Sequence, residues 1–594
     1  MTRHKSVPCA GVDPGQRQLN GPQTTGREYR NLSQPVHLTR RDDDVAVELR
    51  DGARLLADVH RPDEDGRFPV LVSASPYPRQ LQDLGAPMGF IEAGATDFFV
   101  PRGYVHVIAN VRGTGGSDGT FGFFDEQERR DMHDLVEWAA AQPWSDGNVG
   151  MVGISYFAMT QLEAATQRPE HLKAIFPVAV TSDLYEAARH HGLFNSSFLS
   201  PFLAMVGIAA GHGDSLWRGR LLDAARHVLA LPHVHERFAT MNGEAAVTIM
   251  HEAMRLHYEP HPWDDLWQAV AVDHQARDEW WDERNLLPIL DQVEVPVYLG
   301  CDWQNVPLHL PSTFPTMAAL TSSPEVRVAM LGEFGLTWPW ESLHVEALAW
   351  FDHWLKGVDT GILDGPSIRY VLPGTDGWRA AEQWPPAGTE PAELALRADG
   401  VLAADEGDVG VRSYLCPGPG LGRLGRDTDP PSSQSWETEP LGSALDLVGD
   451  VELRLDGSTT AIDSAWIVLL EDVAPDGTAE TITQGWLQAS LRDVDEGASR
   501  PGAPELACRT PRAVPAGEVV SYRIPLVTNA RRFASGHRLR VVVCSDDRPE
   551  DIPVVMAFRH APAGTTTRNT IHSSSRLVLS VLPADPSDHS RVQD

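Results

Sequence analysis

The chain is short of cysteine, of basic charge and of long apolar runs, and each shortage excludes something. Its five cysteines, Cys9, Cys301, Cys416, Cys508 and Cys544, form no C-x-x-C pair and have no histidine at zinc-like spacing. They read as reduced thiols, not as a disulfide framework or a metal centre. Nowhere do about eighteen apolar residues run uninterrupted, so no membrane-spanning helix is expected. The N-terminal stretch lacks the apolar core of a signal peptide, which makes a cytoplasmic protein the default expectation. Lys plus Arg number 49 against 82 Asp plus Glu, a net charge of −33. Such a field repels phosphate backbones and anionic headgroups, so neither nucleic acid nor a membrane surface is the expected partner.

What is there is globular: 594 residues, 42% of them hydrophobic, with 17 Trp and 18 Phe. At ~150 residues per domain the length predicts two to four domains. Residues 1–40 are polar, without periodicity, and read as a flexible N-terminal arm. From Val45, VAVELRDGARLLADVHRP gives two β-rich runs joined at Asp51-Gly52, a hairpin dipeptide, and FPVLVSASPY and YVHVIANVRG follow as buried strands. QERRDMHDLVEWAAAQ is amphipathic at helical spacing, and GNVGMVGIS is another strand leading into AMTQLEAATQ. Strands apolar throughout and alternating with helices predict a parallel sheet covered on both faces, an α/β fold. This unit is expected over 41–182 and 291–357, interrupted at 183–290 by a helical cap rich in His and Trp. PVYLGCD, VRVAML and the helix ESLHVEALAWFDHWLKG complete it. Over 358–594 the alternating runs between Gly, Pro and Asp predict an all-β sandwich or jelly roll.

The sharpest chemical signal is Gly153-Ile154-Ser155-Tyr156-Phe157-Ala158, between an apolar strand and a helix. A serine on such a turn stands above the carboxyl edge of the sheet, beside helix N-terminal amides that can stabilise an oxyanion. Phe157 occupies the last position of the usual G-x-S-x-G pattern. The alternative is a serine at an ordinary strand end.

The surrounding text resembles the superfamily of X-prolyl dipeptidyl peptidases, cocaine esterase and α-amino acid ester hydrolases, whose elbow reads G-x-S-Y-x-G. The resemblance runs from about Val45 to the C-terminus, through RDGARLLADVHRP, Ser75-Pro76-Tyr77, GYVHVIANVRGTGGSDGTF, AAQPWSDGNVGMVGISY, WFDHWLKG and FASGHRLRVVV. It implies an α/β-hydrolase domain with an inserted helical cap and a following jelly roll. It also implies that Ser155 is the nucleophile, and that the Tyr77 hydroxyl and the Tyr156 backbone N–H are the oxyanion donors. A phenol that keeps its proton is a sound fixed donor at neutral pH.

The rest of the triad departs from the family. Its acid position falls on Asn305 and its histidine position on Leu336. For the acid, Asp302 at the end of PVYLGCD is preferred over Glu333, because it follows the strand that supplies the acid in the Ser, acid, His order. For the base, His344 is preferred, since it shares an apolar stripe with Leu348, Phe351 and Leu355 and should face inward. His309 is the second choice and His353 reads as structural. Trp303 and Trp338, with Trp280, Trp281 and Trp340, flank the proposed site, and Trp303 and Trp338 are taken as substrate-binding.

Arg112-Gly113-Thr114-Gly115-Gly116-Ser117 lacks the Lys of a phosphate loop, and the cap histidines show no ligand spacing, so neither cofactor nor metal is expected. The leading expectation is a serine hydrolase cleaving an ester or amide of a small, partly apolar substrate through an acyl-enzyme. Acyl transfer by the same serine, or a triad-degenerate member with a binding or non-hydrolytic role, are the alternatives. Oligomeric state, a homodimer included, is left open.

Overall fold

The computed structural model describes residues 22–83, 92–210, 228, 231, 263–332, 342–416, 432–545, 547, 558–561 and 566–583. A ten-stranded sheet is built from β1 (Thr39–Glu48), β2 (Arg54–Pro62), β3 (Phe68–Ser75), β4 (Val105–Asn110), β5 (Ser145–Ile154), β6 (Leu172–Val178), β7 (Val297–Asp302), β8 (Val326–Leu331), β9 (Ile368–Val371) and β10 (Trp378–Ala381). Its order is β1-β2-β4-β3-β5-β6-β7-β8-β9-β10. The strands from β3 to β9 pair in parallel, while β1, β2 and β10 run antiparallel to their neighbours. The Asp51-Gly52 hairpin is present, and Gly52 adopts the positive φ of 85° that the turn needs.

Every residue of β4 and β7 is buried, as two covered faces require. On one face lie α1 (Glu126–Ala140), capped by Asp125, and α2 (Tyr156–Thr166), with Met132, Leu135 and Val136 turned to the core. On the other lies α6 (His344–Lys356), whose Leu348, Phe351 and Leu355 pack with Leu71, Val152 and Phe176. A Cβ on Gly150 of β5 would come within 2.8 Å of the Phe351 ring, so this close approach of helix to strand depends on glycine. Described residues of the cap include α3 (Leu184–Arg189) and α4 (Ser196–Ala210), and α5 (Leu310–Ala319) follows β7.

Two expected boundaries move. Residues 22–38 are not a loose arm: Thr25 N–H donates to the Glu346 carboxylate at 3.0 Å, Arg27 to the Gly361 carbonyl at 2.8 Å, and Ser33 N–H to Asp352 at 2.7 Å. A polar segment held by buried carboxylates leaves no hydrophobic periodicity to read. The hydrolase sheet also does not stop at 357, because β9 adds to β8 in parallel and β10 returns beside it. Beyond β10 the described residues form thirteen strands with a single short 3₁₀ turn at Ala489–Leu491, eleven of the strands in one antiparallel sheet and two in a separate pair. This all-β domain docks on the hydrolase unit: Asn529 donates to the Trp303 carbonyl at 3.0 Å, and Arg277 N–H to that of Cys508 at 2.9 Å. No helix among the described residues is long and apolar enough to cross a membrane. Among the described residues, Cys301, Cys416, Cys508 and Cys544 are buried thiols.

Candidate active site

Ser155 sits between β5 and α2 with φ 57° and ψ −117°, a region that side-chain-bearing residues rarely enter. The turn is held from both sides: Ser155 N–H donates to the Val178 carbonyl at 3.0 Å, and its own carbonyl accepts from Ala158 and Met159 at 2.9 and 3.0 Å. Gly153, at φ 141°, makes the elbow possible, because a Cβ there would lie 2.4 Å from that of Phe157. Phe157 is therefore a wedge under the elbow, and it is fully buried.

Tyr77 follows the end of β3 and is 4% exposed, its ring edge-on to Tyr156 and Phe157 at 6.0 Å from each. Burial first, then the nearby Glu92 carboxyl, push the phenol well above its ordinary pKa, while a hydrogen bond with Ser155 acts the other way. Tyr77 thus keeps its proton and faces the nucleophile as a donor. Glu92 is itself pushed well above the ordinary carboxyl value by burial. Tyr156 points its hydroxyl away, to the Glu128 carboxyl at 2.7 Å, and stacks on Phe124 at 4.1 Å. Tyr156 also lines the cleft, and as the first helical residue it has an N–H without an i−4 partner in the helix.

Ser155 and Tyr77 open into a cleft of about 410 Å³, solvent-continuous space included, whose other walls are Phe123, Phe124, Met159, Leu184, Phe198 and Phe202, with Thr181, Leu308 and His309. Among the described residues, the histidine that shares this cleft with Ser155 is His309. Its Nδ1 lies 2.8 Å from the Thr181 hydroxyl, and its backbone N–H donates to the Asn305 side chain at 3.2 Å. Burial lowers its pKa to about 3, opposed by a hydrogen bond to the Val180 carbonyl, so the ring is a neutral imidazole at physiological pH.

The other expected site residues lie elsewhere. His344 begins α6 and packs its ring on Phe98 and Phe99, at 5.4 and 5.9 Å, within the core layer on the α6 face of the sheet. Helical periodicity signalled that it points inward but not toward which side of the sheet. Asp302 ends β7 and accepts the Gln304 N–H at 3.0 Å, closing a turn; it is not among the residues lining the cleft. Asn305 takes up the His309 N–H with its side chain and the Leu308 and Leu310 N–H groups with its carbonyl, so it shapes the loop that presents His309. Trp303 is core rather than substrate-binding: its indole donates to the Val371 carbonyl at 2.7 Å, and its ring lies against Phe314 and Trp384. Trp281 packs edge-on to Tyr185, and Trp280 stacks on His274. Leu336, Glu333, Trp338 and Trp340 lie outside the described residues.

Sequence reasoning missed Thr181 and the phenylalanine wall. Phe198 and Phe202, four apart on α4, and the run Phe121-Gly122-Phe123-Phe124 were its only signals. Taken together, a strained serine, a neutral imidazole and a phenol beside a helix N-terminus are equipped for attack on a carbonyl and stabilisation of the resulting oxyanion.

Residues 51–332 match the X-Pro dipeptidyl-peptidase (S15 family), and residues 360–576 match the X-Pro dipeptidyl-peptidase C-terminal non-catalytic domain. A cocaine esterase from Rhodococcus sp. (strain MB1 Bresler) is 27% identical over 595 residues, covering 91% of this chain and 98% of its own. Among solved structures, a CocE/NonD family hydrolase from Staphylococcus aureus superposes with a TM-score of 0.71 at 22% identity, covering 91% of this chain and 94% of the other. An α-amino acid ester hydrolase does so with a TM-score of 0.66 at 19% identity, covering 94% and 99%. Two consecutive family domains in the order of the observed folds, and a serine on the expected elbow, place this chain in the superfamily of X-prolyl dipeptidyl peptidases, cocaine esterase and α-amino acid ester hydrolases, which are serine hydrolases of esters and amides.

Proposed function

We propose that this protein is an esterase for small substrates with an apolar acyl group, using Ser155 as nucleophile and His309 as general base. The observation that carries the reading is the one cleft shared by Ser155, Tyr77 and His309 and walled by phenylalanines. In the tautomer that carries its hydrogen on Nδ1, toward the Thr181 hydroxyl, the neutral ring offers Nε2 to take the proton from Ser155 Oγ as it attacks the carbonyl carbon. The oxyanion accepts from the Tyr77 hydroxyl and the Tyr156 N–H. His309 returns the proton to the leaving alcohol, and water then repeats the sequence on the acyl-enzyme.

Two features of the cleft support esters over peptides. No carboxylate lines it among the described residues, so a substrate ammonium would be desolvated there without a partner. Thr181 and the Val180 carbonyl orient the imidazole but supply no full charge to steady the imidazolium. Loss of that charge costs serine proteases about 10⁴ in kcat, which favours esters with good leaving groups. The four buried thiols accord with a reducing compartment such as the cytoplasm. The test compares kcat/KM on p-nitrophenyl butyrate and benzoate with that on Ala-Pro-p-nitroanilide. The aryl esters should be turned over faster; preference for the dipeptidyl anilide would overturn the reading.

A further inference from the structure

A chain of buried polar side chains runs from the all-β domain to the loop that carries His309. His560 Nδ1 lies 3.0 Å from Asp547 Oδ1, and its backbone N–H donates to Asp547 Oδ2 at 2.6 Å. The other nitrogen of His560, Nε2, is 2.6 Å from His190 Nδ1. His190 Nε2 in turn is 2.7 Å from the carbonyl of Pro307. Pro307 immediately precedes Leu308 and His309, both walls of the cleft, and His190 directly follows α3, whose Leu184, Ala187 and Ala188 line it. The His190 ring is clamped on Trp486 of the all-β domain, with centroids 4.3 Å apart and planes at 20°. His190 is 2% exposed, Asp547 6% and His560 8%.

Donor and acceptor counting fixes the protons. A carbonyl only accepts, so His190 Nε2 carries a hydrogen; burial and the adjacent His560 hold His190 neutral, so its Nδ1 is bare. His560 Nε2 must then donate to it, and Nδ1 must share a proton with Asp547. The three side chains are satisfied only when they hold one proton more than two neutral imidazoles and a carboxylate would. Remove it, and a lone pair faces either the His190 lone pair at 2.6 Å or the Asp547 carboxylate. The titratable groups facing the chain are His191, beside His190 and lowered by burial to about 4, and Glu186, 3.4 Å from His191 Nε2.

We propose that Asp547, His560 and His190 are positioning residues: a proton-holding strut through which the all-β domain sets the place of the Pro307–His309 loop, and with it the base. The proposal rests on His309 being that base. Breaking the chain at His190 or at Asp547 loosens the contact to Pro307, and kcat falls while the apolar walls still bind substrate. A displacement of about 1 Å at a catalytic group is enough to cost ~10²-fold.

The experiment measures kcat and KM for p-nitrophenyl butyrate on the full chain. Asp547→Asn is close to isosteric, and its amide can donate to His560 Nδ1 while its oxygen accepts the His560 N–H. The chain stays satisfied, so kcat should remain within about threefold of the wild type, whereas Asp547→Ala leaves His560 unheld and should lower kcat about 10-fold. His190→Phe keeps the stack on Trp486 but loses Pro307, and kcat should drop about 10- to 100-fold with KM within roughly threefold. An unchanged kcat in a folded His190→Phe or a folded Asp547→Ala overturns the strut, as does an Asp547→Asn as impaired as Asp547→Ala; should His190→Phe not fold, the two Asp547 variants decide alone. His309→Ala separates the two readings. If it is inactive, those results bear on the strut only, and if it retains full activity both the base assignment and the strut fall.

Discussion

Each residue of the site is tuned by burial, and the direction of tuning differs with its task. Tyr77 is pushed up and stays a donor, whereas His309 is pushed down and stays an acceptor. Tyr77→Phe keeps the ring and its edge-on contacts but removes a donor to the developing charge. Its kcat should fall by about 10² to 10³, with the melting temperature nearly unchanged. His309 accepts a proton only while neutral, and protonation would come at about pH 3 rather than near 6.5. The acid limb of kcat/KM should therefore lie several units below that of an ordinary histidine base, and an inflection near pH 6.5 would count against this assignment. Alanine at His344 offers the contrast, since deleting a ring packed on Phe98 and Phe99 should lower stability and leave kcat in place.

At the scale of elements, α2 carries both the elbow and a hidden cost. Glu163 lies inside the helix with neither carboxylate oxygen hydrogen-bonded among the described residues, and burial raises its pKa well above the ordinary value. Glu128, bonded to Tyr156 on the same layer, is held up to about 8. Burial disfavours the charged form of both in the folded chain, whereas both ionise at an ordinary carboxyl pKa once unfolded. Their contribution is fully present below about pH 4 and is lost as pH rises toward the folded pKa. Glu163→Gln removes part of that loss, so its melting temperature should exceed that of the wild type at pH 8, by ~2–4 °C per kcal/mol recovered, and the gap should close at pH 5. Equal gaps at the two pH values would show that Glu163 does not titrate on unfolding. The elbow has its own weak point: a methyl at Gly153 must displace Phe157, so Gly153→Ala should cost stability and activity together.

For the whole molecule, the all-β domain is part of the hydrolase core's packing. Trp303 and Trp384 lie side by side, the Trp303 carbonyl is bonded by Asn529, and Arg277 binds the main chain at Cys508. A fragment ending directly after β10, at Ala381, should expose this apolar surface and aggregate. Recovery of such a fragment as a monodisperse, folded species in light scattering would mean that the interface adds little to the stability of the hydrolase unit.

The sequence by itself determined the architecture, because that information is local and repetitive. Continuous apolar runs and a period of 3.6 announced strands β3, β4, β5, β7 and β8 and helices α1 and α6, and Gly153 and Ser155 announced the elbow, since a short-range clash with Phe157 demands glycine there. Only the tertiary structure decided the partner of Ser155. His344 and His309 both read as inward-facing or loop-borne histidines, and their distance from Ser155 depends on which face of the sheet α6 covers and how Asn305 folds its loop. The same holds for the docked segment from residue 22, for β9 and β10, and for the chain from Asp547 to Pro307, whose members stand 117 to 370 positions from their partners along the axis of His190. Contacts between side chains so distant in sequence leave no periodic trace, and packing of the two domains brings them together.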